Sequence, residues 1–162
     1  MTTSARTYSN PPGTFLAALG LNLEPVVPAG IDTVVRGHLD VDERHHTPWG
    51  VVHGGVWASV IESAASVGAS AVVAERGQFA MGVDNVTDFV RPFWAGRVDV
   101  VATPVNIGRS LQLWQVQLTD TRGRVIAHGR VRLSNQPLGD QQRVVDGGTA
   151  AAVPPTVEMG IH

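Results

Sequence analysis

Between Val51 and Val73 only two ionisable side chains, His53 and Glu62, interrupt an otherwise apolar run. A stretch of that length has two ways to exist, as a membrane span or as a helix enclosed by the rest of its own domain. The first would hold Glu62 mid-bilayer, where a carboxylate is costly, and Ser59, Ser63, Ser66 and Ser70 dilute its apolar character further. The run therefore reads as a core helix. Apolar pairs at Val56-Trp57, Val60-Ile61, Ala64-Ala65 and Ala71-Val72, with Gly68 between, give the recurrence of a helix about 30 Å long. Its polar stripe is narrow and consists of Ser59, Glu62, Ser63, Ser66 and Ser70. The many small residues predict that a sheet approaches it closely.

The segments around this helix read mostly as strands. Thr14 to Leu19 forms a short helix closed by Gly20, and Leu21 to Val27 a strand stopped by Pro28 and Gly30. From Ile31 to Val41 the odd positions are mostly apolar and the even ones mostly polar, the period of a half-buried strand. Four more strands follow, Met81 to Val90, Arg97 to Val105, Leu111 to Thr119 and Arg124 to Leu133, joined by short turns that suit antiparallel neighbours. The prediction is an α+β domain in which an antiparallel sheet of about six strands curls around one long central helix. Residues 13–134 form this domain, between flexible tails at 1–12 and 135–162 that are polar or Pro-, Gly- and Ala-rich with little periodicity.

Composition removes several classes of function. A formal net charge of -2 offers no basic field for nucleic acid or an anionic membrane surface, so neither is expected as a partner. With no cysteine there is no disulfide, thiolate nucleophile or cysteine-ligated zinc. The first dozen residues lack the pattern of a secretory signal, and a cytoplasmic location is expected. His45, His46, Asp40, Glu43 and His53 follow no metal-ligand spacing, and they read as a solvated loop without a metal. There is no Gly-x-Ser-x-Gly elbow, P-loop or dinucleotide fingerprint.

Glu62 is the only acidic side chain between Glu43 and Glu75, and it sits mid-helix on the polar stripe of an apolar element. The ordinary alternative is a surface glutamate facing water. The functional one is a carboxylate desolvated enough to serve as base or nucleophile. His53-Gly54-Gly55 stands at the helix start, where unpaired N–H groups and the positive dipole end favour developing negative charge, although Gly-Gly before a helix is also common loop geometry. Glu62 follows these glycines by about two turns, or about 11 Å along the axis. That is too far for one reacting carbonyl, so a site using both draws them from different subunits across a two-fold axis. Ser66, one turn after Glu62, is placed to hydrogen-bond it or to orient water.

The stretches Thr47-Pro48-Trp49-Gly50-Val51-Val52-His53-Gly54-Gly55 with Glu62-Ser63, Gly82-Val83-Asp84 to Val90-Arg91, Pro104 to Gly108 with Gln112-Leu113-Trp114, and Asp120 to Arg124 resemble the hotdog-fold thioesterases. The nearest likeness is to the PaaI-like enzymes and the branch acting on 4-hydroxybenzoyl-CoA and 1,4-dihydroxy-2-naphthoyl-CoA. The resemblance implies a hotdog homodimer, commonly a dimer of dimers, that hydrolyses an aryl or medium-sized acyl-CoA to free acid and CoA. It needs no cofactor, CoA being part of the substrate. It assigns Glu62 as nucleophile or general base, the Gly54 amide of the neighbouring subunit as polariser of the thioester carbonyl, and His53 and Ser66 as supporting groups, while Gly55 and Thr47 are candidates by their place in the same stretch. Arg91 and the Gly108-Arg109-Ser110 turn would lie near the CoA phosphates, a role that suits Arg geometry and turn amides.

Two positions depart from the family pattern. Thr47 stands where relatives often carry Gln or Asn near the thioester, with His46 as a possible substitute donor, and Phe89 where the naphthoyl-CoA branch carries His. Two other readings of the same fold are a hotdog dehydratase or hydratase, whose families pair His and carboxylate in different motifs, and a non-catalytic acyl-CoA sensor. The presence of Glu62 argues against the sensor.

Overall fold

The computed structural model describes residues 4–8 and 10–139. The expected C-terminal tail therefore lies outside the described residues from position 140 on, and so do the first three residues.

Helix α1 (Phe15–Leu19) is capped by Thr14, whose hydroxyl accepts from Ala17 N, and it ends at Gly20 with φ +76°. Strand β1 (Leu21–Leu23) is shorter than the sequence predicts. Its expected continuation to Val27 makes instead an isolated antiparallel bridge between Val26 and Arg6. Strand β2 (Val35–Val41) also starts late, because Gly30–Asp32 form a 3-10 turn and the buried Thr33 hydroxyl ties down Ala29 N. Ile31, read as an inward strand residue, is 55% exposed on that turn. Within β2 the alternation holds, with Val35, Gly37, Leu39 and Val41 all inward.

Helix α2 (Gly54–Val73) is the predicted core helix. Strands β3 (Gln78–Phe89), β4 (Gly96–Ile107), β5 (Leu111–Asp120) and β6 (Val125–Pro137) follow it. All six strands join in one antiparallel sheet of order β1-β2-β4-β5-β6-β3, so β1 and β3 form its edges. The sheet curls around α2 and buries Trp57, Val60, Ile61, Ala64, Ala65 and Ala69 of the helix against Val35, Val100, Trp114, Leu118, Val131 and Leu133 of the strands. The close approach expected from the small residues is direct. A Cβ on Gly68 would lie 2.5 Å from the Trp114 ring, so only glycine fits there. By length and composition α2 could cross a membrane, but its apolarity is accounted for by the sheet around it.

The body is somewhat larger than residues 13–134. Strand β6 runs to Pro137, the Arg6–Val26 bridge attaches the N-terminal segment, and Tyr8 packs on the core.

One irregularity governs the site. In β3 the pairing with β6 shifts between Gly82 and Asp84, which leaves Val83 as an extra residue. Before the bulge Ala80 and Gly82 face α2, and after it Asn85 and Thr87 do, while Asp84, Val86 and Asp88 turn outward. A regular strand would have pointed Asp84 at the helix and Asn85 away from it.

Candidate active site

Glu62 is half-buried midway along α2, with its carboxylate directed at β3. Its Oε2 accepts a hydrogen bond from Asn85 Nδ2 at 3.1 Å. Its Oε1 lies over Gly82, where any Cβ would overlap it, and makes a long 3.5 Å contact with the Ser66 hydroxyl. Asn85 Nδ2 also donates to the Ala58 carbonyl at 3.0 Å, and its Oδ1 accepts from the Thr87 hydroxyl at 2.7 Å. No cation lies within ion-pair distance of Glu62 among the described residues. The expected contact with Ser66 is thus present but weak at this length. Asn85 and Gly82 are the partners that sequence reasoning missed, and only a displaced strand register could have revealed them.

His53 is the N-cap of α2, and its Nδ1 accepts from Gly55 N at 2.8 Å. That bond uses up the Gly55 amide and, in a neutral imidazole, leaves the proton on Nε2. No acceptor among the described residues takes the Gly54 N–H. Of the two glycine amides expected to polarise a carbonyl, Gly54 is therefore the available one. It carries the positive end of a twenty-residue helix. The Phe89 ring packs directly on this glycine, with Cε2 2.5 Å from where a Cβ would stand. Beside it a small hollow of about 140 Å³ is lined by Val52, Trp57, Phe89, Val90, Arg91 and Phe93.

The two histidines before the motif hold the loop together. Buried His45 bonds the Leu19 carbonyl through Nε2 at 2.9 Å and accepts from Asp42 N through Nδ1. His46 Nε2 is engaged by the Trp94 carbonyl, which removes it as a stand-in donor for a substrate. The Thr47 hydroxyl donates to the Val51 carbonyl at 3.0 Å inside its own turn, so its proton is likewise committed to backbone. Trp49 is 85% exposed. Among the described residues no group of three or more His, Asp or Glu could hold a metal ion.

Residues expected near CoA fall at opposite ends of the sheet. Arg91 lies beyond the end of β3 and lines a hollow of about 350 Å³ with Pro92, Phe93, Trp94, Ala95 and Arg124. Gly108, Arg109 and Ser110 connect β4 to β5 at the far end, about 30 Å away along β6, where Arg91 bonds Ile126 and Ser110 bonds Asn135. One protomer does not bring these two groups together. The turn itself is firmly held. Asn135 Nδ2 donates to the Gly108 and Arg109 carbonyls, and the buried Gln112 amide links Asn135 to the Ala69 carbonyl of α2. A further hollow, of about 560 Å³, lies elsewhere, on the outer face of the sheet between Val86, Asp88, Thr103, Gln115, His128 and Arg130. It touches neither Glu62 nor Gly54.

A curled six-stranded antiparallel sheet around one long helix is the architecture of the hotdog fold. Comparison with known proteins agrees. The sequence pattern of the Thioesterase superfamily matches residues 50–127. A protein of Mycobacterium tuberculosis named as an esterase is 43% identical over 123 residues, which cover 75% of this chain and 85% of that protein. Its structure superimposes with a TM-score of 0.70, covering 76% of this chain and 96% of that one. A 1,4-dihydroxy-2-naphthoyl-CoA hydrolase of Listeria monocytogenes is 29% identical over 118 residues, 70% of this chain and 95% of its own. A Haemophilus influenzae thioesterase structure is 29% identical with a TM-score of 0.70, covering 78% of this chain and 85% of that one. The chain belongs to the hotdog-fold thioesterase superfamily, and as an enzyme it is a hydrolase.

Proposed function

We propose that this protein hydrolyses an aryl or medium-sized acyl-CoA, with Glu62 of one subunit and the Gly54 amide of a second acting on the same thioester. The observation that carries the reading is the free Gly54 N–H standing eight residues before Glu62 on one unbroken helix, about 12 Å along its axis. A thioester carbonyl cannot span that distance. Midway between the two residues is Ala58, and its carbonyl is bonded by Asn85, close to the middle of β3, an edge strand among the described residues. A two-fold axis crossing β3 near Asn85 would pair the free edges antiparallel. The same axis would bring each Glu62 level with the Gly54 of the other helix. It would also align the Arg91 end of one protomer with the Gly108–Ser110 end of the other, so that groups far apart in one chain could flank one CoA.

In the base route, Glu62 takes a proton from water as the water oxygen bonds to the carbonyl carbon. The resulting oxyanion rests on the Gly54 N–H, and as the C–S bond breaks the proton held by Glu62 passes to the leaving sulfur, giving the acid, the CoA thiol and the free carboxylate again. In the nucleophilic route, a Glu62 oxygen bonds to the carbonyl carbon and the thiolate leaves, forming a mixed anhydride that water opens. Both routes require the same carboxylate and the same amide. The small hollow beside Gly54 is apolar on most sides, which suits an acyl group better than the phosphates.

The test is free-thiol release from a panel of acyl-CoA esters. Wild-type protein is expected to turn over at least one aryl or medium-chain ester. Glu62→Ala is expected to lose at least about 10²-fold in kcat, the usual contribution of a positioned base, while it assembles as the wild type does. Undiminished thiol release by Glu62→Ala would show the reading to be wrong.

A further inference from the structure

We infer that Asn85 is a positioning residue for Glu62, held in turn by Thr87, and that the β3 bulge at Val83 exists in this chain to bring that amide to the helix. The inference rests on the reading of Glu62 as the carboxylate that does the chemistry.

The orientation of the Asn85 amide is fixed from two sides. The Ala58 carbonyl can only accept, so the NH2 group must face the helix, and the Thr87 hydroxyl donates to Oδ1 on the other side. Both amide hydrogens are then spent, one on Ala58 and one on Glu62 Oε2. The bond to Ala58 anchors the amide to the helix backbone one turn before Glu62, so the donor and the carboxylate share one rigid frame. Gly82, on the other side of the bulge, contributes the space in which the second carboxylate oxygen lies.

The chemical value of a neutral amide here is specific. An arginine or lysine in its place would orient the carboxylate but would also draw off the negative charge that a base or nucleophile uses. Asn85 restrains rotation of the carboxylate without a counter-charge, so that the same oxygen is presented to the substrate at each turnover. Ser66, at 3.5 Å, is too distant to do this alone.

Steady-state kinetics on the full-length protein, with an acyl-CoA ester that the wild type hydrolyses and thiol release as readout, decide the matter. Asn85→Leu keeps the shape and removes the donor. It is expected to lower kcat by about 10- to 100-fold, the scale on which misplacement of a reacting group acts, with KM within about twofold of wild type. Thr87→Val removes only the outer hydrogen bond and is expected to lower kcat several-fold, and Thr87→Ser to restore most of that loss. A folded Asn85→Leu with wild-type kcat, or one impaired only in KM, overturns the inference. If Asn85→Leu does not fold, the Thr87 pair decides: equal kcat in Thr87→Val and wild type overturns it, whereas loss and recovery through serine support it. Glu62→Ala, measured beside them, separates this inference from the reading beneath it. Full activity there, or no thiol release by the wild type from any ester tried, removes both. An inactive Glu62→Ala with a fully active Asn85→Leu removes only the role of Asn85.

Discussion

Two glycines shape the site, Gly82 beneath the Glu62 carboxylate and Gly54 beneath the Phe89 ring. A methyl group on Gly82 would take the place of Glu62 Oε1, so Gly82→Ala must turn the carboxylate out of its position. Because Gly82 is exposed and lies in extended strand, this substitution is expected to cut kcat by about tenfold or more while thermal unfolding shifts little, measured by kinetics and calorimetry on the same sample. Gly54→Ala acts through Phe89, whose ring atoms lie 2.5 to 3.1 Å from the added methyl. It is expected to destabilise the protein by about 1–3 kcal/mol, the range for overpacking. Phe89→Ala in the same chain should return most of that loss in a double-mutant cycle of denaturant unfolding. At this scale the sequence was informative about Glu62, a lone acid in an apolar helix, and about Gly54 at the helix head. It was silent about Asn85, since nothing local marks an asparagine in a strand as facing a carboxylate twenty-three residues earlier. The sequence also placed Gly55 with Gly54, but the His53 ring, folding back as the cap, takes that amide.

Among the elements, long periodic segments were legible and short or broken ones were not. Helix α2 and strands β4 to β6 follow from their apolar spacing, because burial against one another repeats along their length, whereas β3 is apolar along a face that is exposed in the single chain. The end of β1 and the start of β2 did not follow from theirs, because the Arg6–Val26 bridge and the Thr33 hydroxyl bonded to Ala29 N override a pattern only a few residues long. The bulge in β3 could not be read either, since its cause is the pairing with β6 rather than any residue at Val83. The β5–β6 turn carries its own prediction. Burial alone would push the Asp120 carboxyl up, but it accepts from Arg124 and Arg122 backbone N–H groups and from the Arg124 side chain, with the guanidinium charge 2.7 Å away. The net effect holds it below the ordinary value of 3.8. A carboxyl whose folded value is depressed contributes stability above its unfolded value and loses it as pH falls through the folded one. Asp120→Asn is therefore expected to unfold a few degrees below wild type at pH 7. In melts across a pH series the two should converge as pH falls below 3.8; a gap that stays constant down to acid pH would contradict this account.

At the scale of the whole molecule, β3 is a twelve-residue edge strand with one side unpaired among the described residues, and Met81, Val83, Val86 and Phe89 along it are all exposed there. A long bare edge of this kind pairs with another strand or invites aggregation. Both the edge and the half-buried stripe of α2 beside it suit a second copy of the same chain. Sedimentation at micromolar concentration is expected to find a dimer or a dimer of dimers and no stable monomer. The decisive measurement is complementation between two inactive parents, Glu62→Ala and Gly54→Pro, the latter losing the amide hydrogen at a position where helices accept proline and carrying Phe89→Ala as well to make room for the ring carbons. With each parent alone shown to be a folded dimer, the two chains are co-expressed with different tags and the mixed dimer is isolated. One of its two sites then combines an intact Glu62 with an intact Gly54, and thiol release near half that of the wild-type dimer is expected. Mixed dimers as inactive as their parents would contradict a site shared between chains.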